Sequence, residues 1–338
     1  MKLAVLGAGS WGLTLAWLLS KNFEDVVVWG RQEDLTEEFL TTKKKTYPIE
    51  VQLPQKVEIM SDLSLAIENA DVILLVVSTA GTRPVCQALK EAGITPKQIV
   101  VNASKGIELP SLKTLSKVIG EELPENPIAV LSGPTLAIEV LKGLPTAASI
   151  ACKDINVANK LQEWFTIVNQ FRIYSNTDVT GVELGGSLKN VVAIASGFVD
   201  AKNYGNNARG AILTRGQAEI VRISAALGAD PSTLYGLSGI GDLIATCSSP
   251  LSRNYQVGFR LGQGKKLDEI LSELGAIAEG VKTSKAVCEL ARKLGIETPL
   301  SETIYEAVYS DISQEEILNK LMNRKLKSEE SYTLNKNG

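Results

Sequence analysis

The sequence contains no histidine among its 338 residues. This absence excludes Ser-His-Asp and Cys-His nucleophilic catalysis, and it removes the His-ligated zinc sites that many enzymes use. A general acid or base in this chain must therefore be Lys, Asp, Glu, Tyr or Cys.

Cysteine is also scarce, and its spacing excludes the usual cysteine chemistry. The four cysteines are Cys86, Cys152, Cys247 and Cys288, and no two of them stand at C-x-x-C spacing. Neither a zinc site nor a redox pair is indicated, so we predict no metal. We expect buried free thiols in a reducing compartment.

Long apolar runs and an excess of positive charge are missing as well. No apolar run reaches the ~18 residues of a spanning helix, so we expect no membrane span. The net charge of -3 gives no support for nucleic-acid binding. The apolar run at the N-terminus is too short for a signal peptide, which makes a cytoplasmic location the expectation.

What the sequence does contain begins with a glycine motif between a strand and a helix. Lys2–Leu6 is a short apolar run, and Gly7, Gly9 and Gly12 follow it in a G-x-G-x-x-G pattern that leads into a helical pattern. In this context Gly7 permits a tight turn, Gly9 lets a pyrophosphate approach, and Gly12 allows close helix–strand packing. The motif predicts dinucleotide binding, with a purely structural glycine turn as the alternative.

Arg31 follows the second predicted strand, Asp25–Trp29. NAD-binding folds often carry an acid near this position for the ribose hydroxyls, whereas an arginine suits a 2′-phosphate. NADPH is therefore slightly favoured as cofactor, while the neighbouring Glu33 and Asp34 keep NAD possible. A simple surface charge is the competing interpretation of Arg31.

Strand and helix patterns alternate through the first half of the chain, which predicts a doubly wound, Rossmann-like α/β domain at residues 1–178. The further strand candidates are Lys56–Met60, Val72–Val77, Gln98–Asn102, Ile128–Leu131, Thr146–Ala151 and Phe171–Tyr174; helical patterns include Ser61–Asn69, Leu112–Ile119 and Asn156–Phe165. The polar segment Gln32–Gln55, with Lys43-Lys44-Lys45, is interpreted as a solvated loop or helix face.

Ligands in such sheets bind beyond the carboxyl ends of the strands, so polar residues at those ends are candidates for the site. Ser78 and Thr79 follow one predicted strand and suit a cofactor-lining role. Lys105 follows the next predicted strand, Gln98–Asn102, and we favour a functional role for it over that of a random surface lysine. Gly133 and Thr135 follow a third and precede a short helical pattern that would suit an anion.

The alternation stops at Gly181–Gly197, a stretch rich in Gly, Ala and Ser, and the remaining pattern is helical. We therefore predict an all-helical second domain at residues 179–338, with short turns between helices that include Ala278-Glu279-Gly280. Lys189 and Asn190 lie in the middle of the stretch. One helix face is small enough for close backbone approach, because its residues fall at steps of three or four: Glu183, Gly186, Asn190, Ala193 and Gly197. The alternative to a catalytic lysine is a tightly packed helix whose lysine extends its charged end to solvent.

Two polar groupings follow in the second half. Glycines precede Asp242, and Ser252, Arg253 and Asn254 stand together at a predicted helix start. Hydroxyl, guanidinium and amide donors at a helix N-terminus suit a phosphate. An ordinary serine N-cap with two exposed polar residues is the other interpretation.

These segments together resemble the bacterial-type NAD(P)-dependent glycerol-3-phosphate dehydrogenase family. The resemblance runs nearly end to end. It is carried by GAGSWG at 7–12, NASKGIE at 102–108, SGPTLAIEV at 132–140, GVELGGSLKNVVAIASG at 181–197, NNARGAILTRGQAEI at 206–220, GLSGIGDLIATCSSPLSRN at 236–254 and AEGVKT at 278–283.

The resemblance implies reversible NAD(P)H-dependent reduction of dihydroxyacetone phosphate to sn-glycerol 3-phosphate for glycerophospholipid synthesis, in a homodimer. It implies that Lys189 is the catalytic proton donor or acceptor, with Lys105, Asp242, Asn190 and Thr246 around the reacting oxygen. The implied substrate contacts are Lys105, Gly133, Thr135, Lys189, Asp242, Ser252, Arg253 and Asn254. Besides the motif glycines, the implied cofactor contacts are Ser10, Trp11, Arg31, Lys105, Ala137, Arg253, Ile277 and Glu279.

Two other functions remain open from the residues themselves. A related dehydrogenase acting on a hydroxy acid or a sugar acid would also use Arg253, because a carboxylate accepts the same guanidinium contacts. A redox-sensing or structural dinucleotide-binding protein would bind the cofactor without turnover.

Overall fold

We describe the protein from a computed structural model, which covers residues 1–46, 49–275, 278–310, 312–326 and 329. The chain divides into two compact units. Met1–Glu108 and Lys113–Glu183 form the first unit, and Leu109–Leu112 with Leu184–Gly338 form the second. The predicted domain boundary at residues 178 and 179 stays a prediction.

The first unit is built on a mixed but mostly parallel sheet. Within its described residues eight strands lie in the order β10-β9-β8-β7-β6-β1-β2-β5, and only the β8–β9 pair is antiparallel. The strands are β1 Lys2–Leu6, β2 Asp25–Trp29, β5 Val57–Met60, β6 Val72–Leu75, β7 Ile99–Asn102, β8 Ile128–Ser132, β9 Thr146–Cys152 and β10 Phe171–Asn176, and a separate pair is formed by β3 Lys44–Lys45 and β4 Val51–Gln52.

Helices cover both faces of this sheet, as the alternation of its side chains requires. In β1, Leu3 and Val5 belong to a core that includes residues of α1 and α7, whereas Ala4 and Leu6 face a second core with residues of α3, α4 and α5. The helices are α1 Ser10–Leu19, α2 Glu37–Thr42, α3 Leu63–Ile67, α4 Thr79–Glu91, α5 Leu115–Glu122, α6 Ala137–Leu141 and α7 Ile155–Phe165. The predicted doubly wound architecture is confirmed.

The regular secondary structure in the described residues of the second unit is helical, without strands. Its long first helix, α8, begins within the first unit and runs from Val179 to Ala201. The others are α9 Gly205–Ala226, α10 Asp242–Cys247, α11 Arg253–Gly262, α12 Leu267–Leu274, α13 Glu279–Leu294, α14 Pro299–Tyr309 and α15 Gln314–Met322. A 3-10 segment, Pro231–Tyr235, and a π-helical segment, Leu237–Gly241, precede α10.

Glycines on α8 and α11 allow these helices to approach one another closely. A Cβ built on Gly197 would lie 2.0 Å from the Tyr255 carbonyl oxygen, and one on Gly258 would lie 1.8 Å from that of Ile194. Neither position can carry a side chain without moving a backbone, so these glycines set how closely α8 and α11 approach. α8 is also long and apolar enough to cross a membrane, but its apolar window is wholly buried, as in the core helix of a soluble protein.

Two local predictions differ from the structure. The polar segment at residues 32–55, interpreted as a solvated loop or helix face, contains helix α2 and also the 3-10 turn Gln32–Asp34 and the unpredicted β3–β4 pair. Glu279 and Gly280 were assigned to a turn, and they instead open helix α13. The four cysteines are buried and free as expected, and burial raises the pKa of the Cys86 and Cys247 thiols to about 12.

Candidate active site

The glycine loop is shaped by contacts that leave no room for side chains on one side. Gly7 has φ +127°, donates its N–H to the Trp29 carbonyl at 2.9 Å, and would place a Cβ 2.4 Å from the Val76 carbonyl oxygen. A Cβ on Gly12 would lie 2.0 Å from the Gly7 carbonyl oxygen. The first and third glycines are therefore required by the backbone itself.

The other side of the loop is open and offers polar groups. A Cβ on Gly9 would meet no atom within 4 Å. Gly9 is the N-cap of α1 and supplies no side-chain cap, and the buried Ser10 Oγ has no hydrogen-bond partner. Free N–H groups, a positive helix terminus and an unsatisfied hydroxyl beside open space fit the pyrophosphate of a dinucleotide.

The loop also lies where the sheet topology changes direction. β1 has β2 on one side and β6 on the other, so the chain leaves β1 toward one edge and later returns toward the opposite edge. Such a switch point is the usual binding position in open α/β sheets. Because β1, β2, β6, β7 and β8 are parallel, the residues that follow them lie at the same edge.

Arg31 stands just past β2, where its guanidinium is held by two carboxylates. Its Nε lies 2.9 Å from Asp34 Oδ2 and its Nη1 lies 2.7 Å from Glu33 Oε1. The hydrogen bond that Arg31 donates to Asp34 raises the pKa of Arg31. The side chain is 62% exposed, so a 2′-phosphate can reach it but would compete with Asp34.

Lys45 is a residue of the glycine loop region that sequence reasoning missed. Its Nζ donates to the Ala8 carbonyl at 2.9 Å and lies 5.5 Å from the centre of the Phe39 ring. Nothing in the run of three lysines indicated that one of them would bond to a residue 37 positions earlier in the sequence. Lys45 therefore adds an ammonium group to the loop that the dinucleotide would occupy.

Lys105 follows β7 in a loop that is fixed by its neighbours. Its Nζ donates to the Gly133 carbonyl at 3.3 Å, so two of the predicted strand-end residues are in contact. Thr135 Oγ1 donates to the same carbonyl at 3.2 Å, and Ala137 opens α6 shortly afterwards. The structure thus brings Lys105, Gly133 and Thr135 together within the first unit.

A buried ion pair lies in the second unit. Lys189 Nζ is 2.7 Å from Asp242 Oδ1, and the exposed fractions of the two side chains are 7% and 2%. Lys189 also donates to Thr246 Oγ1, which in turn donates to Asp242 Oδ1 at 3.1 Å. Three of the predicted catalytic residues form one hydrogen-bonded centre, in which Asp242 and Thr246 lie 53 and 57 positions after Lys189 and four positions from each other.

Asn190, the next residue of α8, contributes its backbone to a neighbouring contact. Asn254 Oδ1 accepts the Gly280 N–H at 2.9 Å, and a Cβ on Gly280 would lie 2.8 Å from the Asn190 carbonyl oxygen. Gly280 therefore fits only because it lacks a side chain. This contact fixes the first turn of α13, which carries Glu279, against the start of α11.

The Ser252-Arg253-Asn254 segment opens α11 as predicted. Ser252 is the N-cap, and its Oγ accepts the Tyr255 N–H at 3.3 Å. Arg253 is exposed and Asn254 is buried, so the interpretation as a serine cap followed by two exposed polar residues is wrong for Asn254. Ile277, a predicted cofactor contact, lies outside the described residues.

Family models match both parts of this chain. The model of the NAD-dependent glycerol-3-phosphate dehydrogenase N-terminus matches residues 2–158, and that of its C-terminus matches residues 178–319. The chain belongs to the NAD-dependent glycerol-3-phosphate dehydrogenase family. Dependence on NAD or NADP follows from this family and from the names of the relatives.

Individual relatives of this dehydrogenase family match over nearly their whole length. The chain is 45% identical over 334 residues to glycerol-3-phosphate dehydrogenase [NAD(P)+] of Lysinibacillus sphaericus, covering 97% of this chain and 98% of that one. It is 43% identical to the Enterococcus faecalis enzyme of the same name over 337 residues, covering 98% of both. The glycerol-3-phosphate dehydrogenase structure of Coxiella burnetii is 34% identical with a TM-score of 0.89, covering 96% of this chain and 99% of that one.

Proposed function

We propose that this protein catalyses the reversible NAD(P)H-dependent reduction of dihydroxyacetone phosphate to sn-glycerol 3-phosphate, and so supplies glycerophospholipid synthesis. The observation that carries the proposal is the Lys189–Asp242–Thr246 centre in a chain that has no histidine. Family membership indicates the substrate, and the Lys189 ammonium in this centre is a group that can transfer the proton.

Reduction of a ketone places negative charge on its oxygen, and that oxygen must receive a proton. In our proposal the Lys189 ammonium donates this proton, and its amine takes a proton back in the reverse direction. Asp242 and Thr246 hold Nζ in one position and limit the rotation of a long side chain. Asn190 lies beside Lys189 and is proposed to contact the same oxygen.

The dinucleotide fits the glycine loop of the first unit. Gly9 leaves space for the pyrophosphate, Ser10 offers an unpartnered hydroxyl, and Gly7 and Gly12 keep the loop tight. When bound, the reduced nicotinamide supplies the hydride that adds to the carbonyl carbon. The proposed additional contacts are Trp11, Arg31, Lys105, Ala137, Arg253, Ile277 and Glu279.

The substrate phosphate is assigned to the start of α11. Arg253 is exposed at the first position of this helix and can form two parallel bonds to a phosphate. Ser252 keeps a hydroxyl proton that can be donated, and Asn254 keeps its amide donors because Gly280 uses its oxygen. Binding energy from the phosphate then orients the carbonyl for reaction.

Lys105, Gly133 and Thr135 are proposed as further substrate contacts. Lys105 supplies a second cation for the developing charge, and its bond to the Gly133 carbonyl holds the ammonium in one place. Three finer assignments belong to the same proposal: a slight preference for NADPH because of Arg31, a homodimer, and a cytoplasmic location.

The test is a spectrophotometric assay of NADPH oxidation with two ketones. We expect turnover with dihydroxyacetone phosphate and at least about 100-fold lower kcat/KM with unphosphorylated dihydroxyacetone, since charge-assisted bonds to the phosphate are lost. Equal rates with both ketones, or activity only with a 2-oxo acid, would overturn the assignment. Cofactor binding without turnover on any of them would instead favour a sensing role.

A further inference from the structure

Glu183 is a buried carboxylate that the proposed mechanism does not use. Its side chain is 2% exposed and accepts the Ser116 N–H at 2.8 Å, the Ser116 hydroxyl, and the Asn102 amide at 3.3 Å. Burial raises the pKa of this carboxyl, and the bonds from Ser116 act in the opposite direction. Leu115 opens α5, so Glu183 satisfies N–H groups at the start of that helix.

Asn102 connects Glu183 to the loop that carries Lys105. It is the last residue of β7 and is fully buried. Its Nδ2 donates to both Glu183 Oε1 and the Ser104 carbonyl, and its Oδ1 accepts the Ser104 N–H at 3.1 Å. The Asn102 amide, which Glu183 orients, thus holds both the N–H and the carbonyl of Ser104, the residue before Lys105, while the Ser104 hydroxyl donates to the Val77 carbonyl at 2.7 Å.

Glu183 also links two elements that share an apolar core. One carboxylate ties the end of β7 to the start of α5 through Asn102 and Ser116. Because Lys105 stands three residues past the end of β7, a change in the Asn102 amide alters the path of the loop and the reach of the Lys105 ammonium.

We propose that Glu183 is a positioning residue that sets Lys105 through Asn102, an inference that rests on the substrate role proposed for Lys105. Removing its carboxylate leaves the Lys105 side chain intact but allows its loop to shift. A misplacement of about 1 Å can cost on the order of 10²-fold in rate. The expected signature is a loss of turnover and, because Lys105 is also a proposed cofactor contact, a smaller loss of cofactor affinity.

The chain offers a matched control in Glu219. This carboxylate is 3% exposed and also accepts bonds at a helix start, from the Leu300 N–H at 2.7 Å and the Ser301 N–H at 3.0 Å. Burial raises the pKa of this carboxyl too. It shares the capping role of Glu183, but the partners described for it lie in α14 and not in a loop with a proposed substrate contact.

The experiment compares Glu183→Ala with Glu219→Ala by melting temperature, cofactor Kd and kcat. We expect a lower melting temperature in both variants. We expect a lower kcat only in Glu183→Ala, by about 10-fold to 100-fold. Glu183→Gln should regain most of this loss, because its oxygen can still accept from Asn102 while the Ser116 hydroxyl turns to accept from its amide. Equal kcat losses in the two alanine variants, or a glutamine variant as slow as the alanine variant, would overturn the proposal.

A Lys105→Met background separates this inference from the function on which it rests. In that background Glu183→Ala should lower kcat only slightly further, because both substitutions act on the same group. The effects of substitutions at distant, independent sites would instead be additive. If Lys105→Met itself leaves kcat unchanged, the proposed role of Lys105 fails. If Lys105→Met is slow and Glu183→Ala still adds its full loss, only the positioning role fails. Should Glu183→Ala not fold, Asn102→Ala breaks the same link and leaves the α5 cap in place.

Discussion

The glycine loop of the first unit and the lysine centre of the second unit are built in opposite ways. The loop is made by six consecutive residues at positions 7–12, and its shape comes from backbone contacts that exclude a Cβ. In the lysine centre, Lys189 is hydrogen-bonded to the side chains of Asp242 and Thr246, which lie 53 and 57 positions later in the sequence. The loop leaves the Ser10 hydroxyl without a hydrogen-bond partner, while Lys189, Asp242 and Thr246 are hydrogen-bonded to one another.

This difference indicates different tasks. An open loop with an unpartnered Ser10 hydroxyl gains hydrogen bonds when a ligand arrives, which suits binding. A closed centre with a buried ion pair is expensive to break but holds Nζ in a fixed place, which suits proton transfer. Variants in the two regions should therefore affect different kinetic quantities.

The largest effect is expected for Lys189→Met. Methionine approximates the volume of the lysine stem but cannot transfer a proton, and it leaves Asp242 without its ammonium partner. Loss of a proton-transfer group lowers kcat by roughly 10²–10⁴-fold. Steady-state turnover with dihydroxyacetone phosphate and NADPH measures this. Lys202→Met, just past the end of α8, is the control, and turnover near wild type in Lys189→Met would refute the catalytic assignment.

Arg253→Ala should follow, with kcat/KM for dihydroxyacetone phosphate lowered by about 10-fold to 100-fold, because bonds to a charged phosphate are lost. Arg253→Lys should lie between wild type and alanine, since lysine keeps the charge but not the planar two-pronged geometry. Initial rates over a range of substrate concentrations separate KM from kcat. Unchanged substrate kinetics in the alanine variant would place the phosphate elsewhere.

Gly12→Ala tests the glycine loop. A Cβ there would lie 2.0 Å from the Gly7 carbonyl oxygen, so the loop must move away from its present path. We expect the KM for NADPH to rise by about 10-fold, corresponding to roughly 1.4 kcal/mol, with a smaller change in kcat. Gly9→Ala is the companion variant, because the added Cβ meets no protein atom. A loss of cofactor affinity in this variant would therefore come from contact between the added methyl group and the bound dinucleotide.

The smallest effect is expected for Arg31→Ala. The guanidinium is exposed and already paired with Asp34 and Glu33, so its net contribution to a 2′-phosphate is about 1 kcal/mol or less. The KM for NADPH should rise a few-fold while that for NADH stays constant. Equal changes for both cofactors, or none, would identify Arg31 as a surface charge.

The same contrast explains what could be predicted from the sequence. The G-x-G-x-x-G motif is local, so its strand–turn–helix context was visible in the pattern around Gly7 and Gly12, and strand alternation predicted the sheet. Lys189, Asp242 and Thr246 were linked only by family resemblance, because no local pattern brings residues so far apart into contact.

Contacts that depend on tertiary packing were missed. Lys45 reaches the Ala8 carbonyl through a small strand pair that the polar sequence did not suggest. Glu183 was noted only as part of a helix face, and its bonds to Ser116 and Asn102 require the folded first unit. Glu279 was placed in a turn because a helix start after a glycine-containing segment gives no clear capping signal.

The most direct test of the division of tasks is the affinity of Lys189→Met for NADPH, measured by tryptophan fluorescence in the same preparation used for turnover. The account predicts a Kd within about twofold of wild type while kcat falls by roughly 10²-fold or more. A Kd weakened in proportion to the loss of turnover would contradict it, because the lysine centre would then contribute to cofactor binding and not specifically to the chemical step.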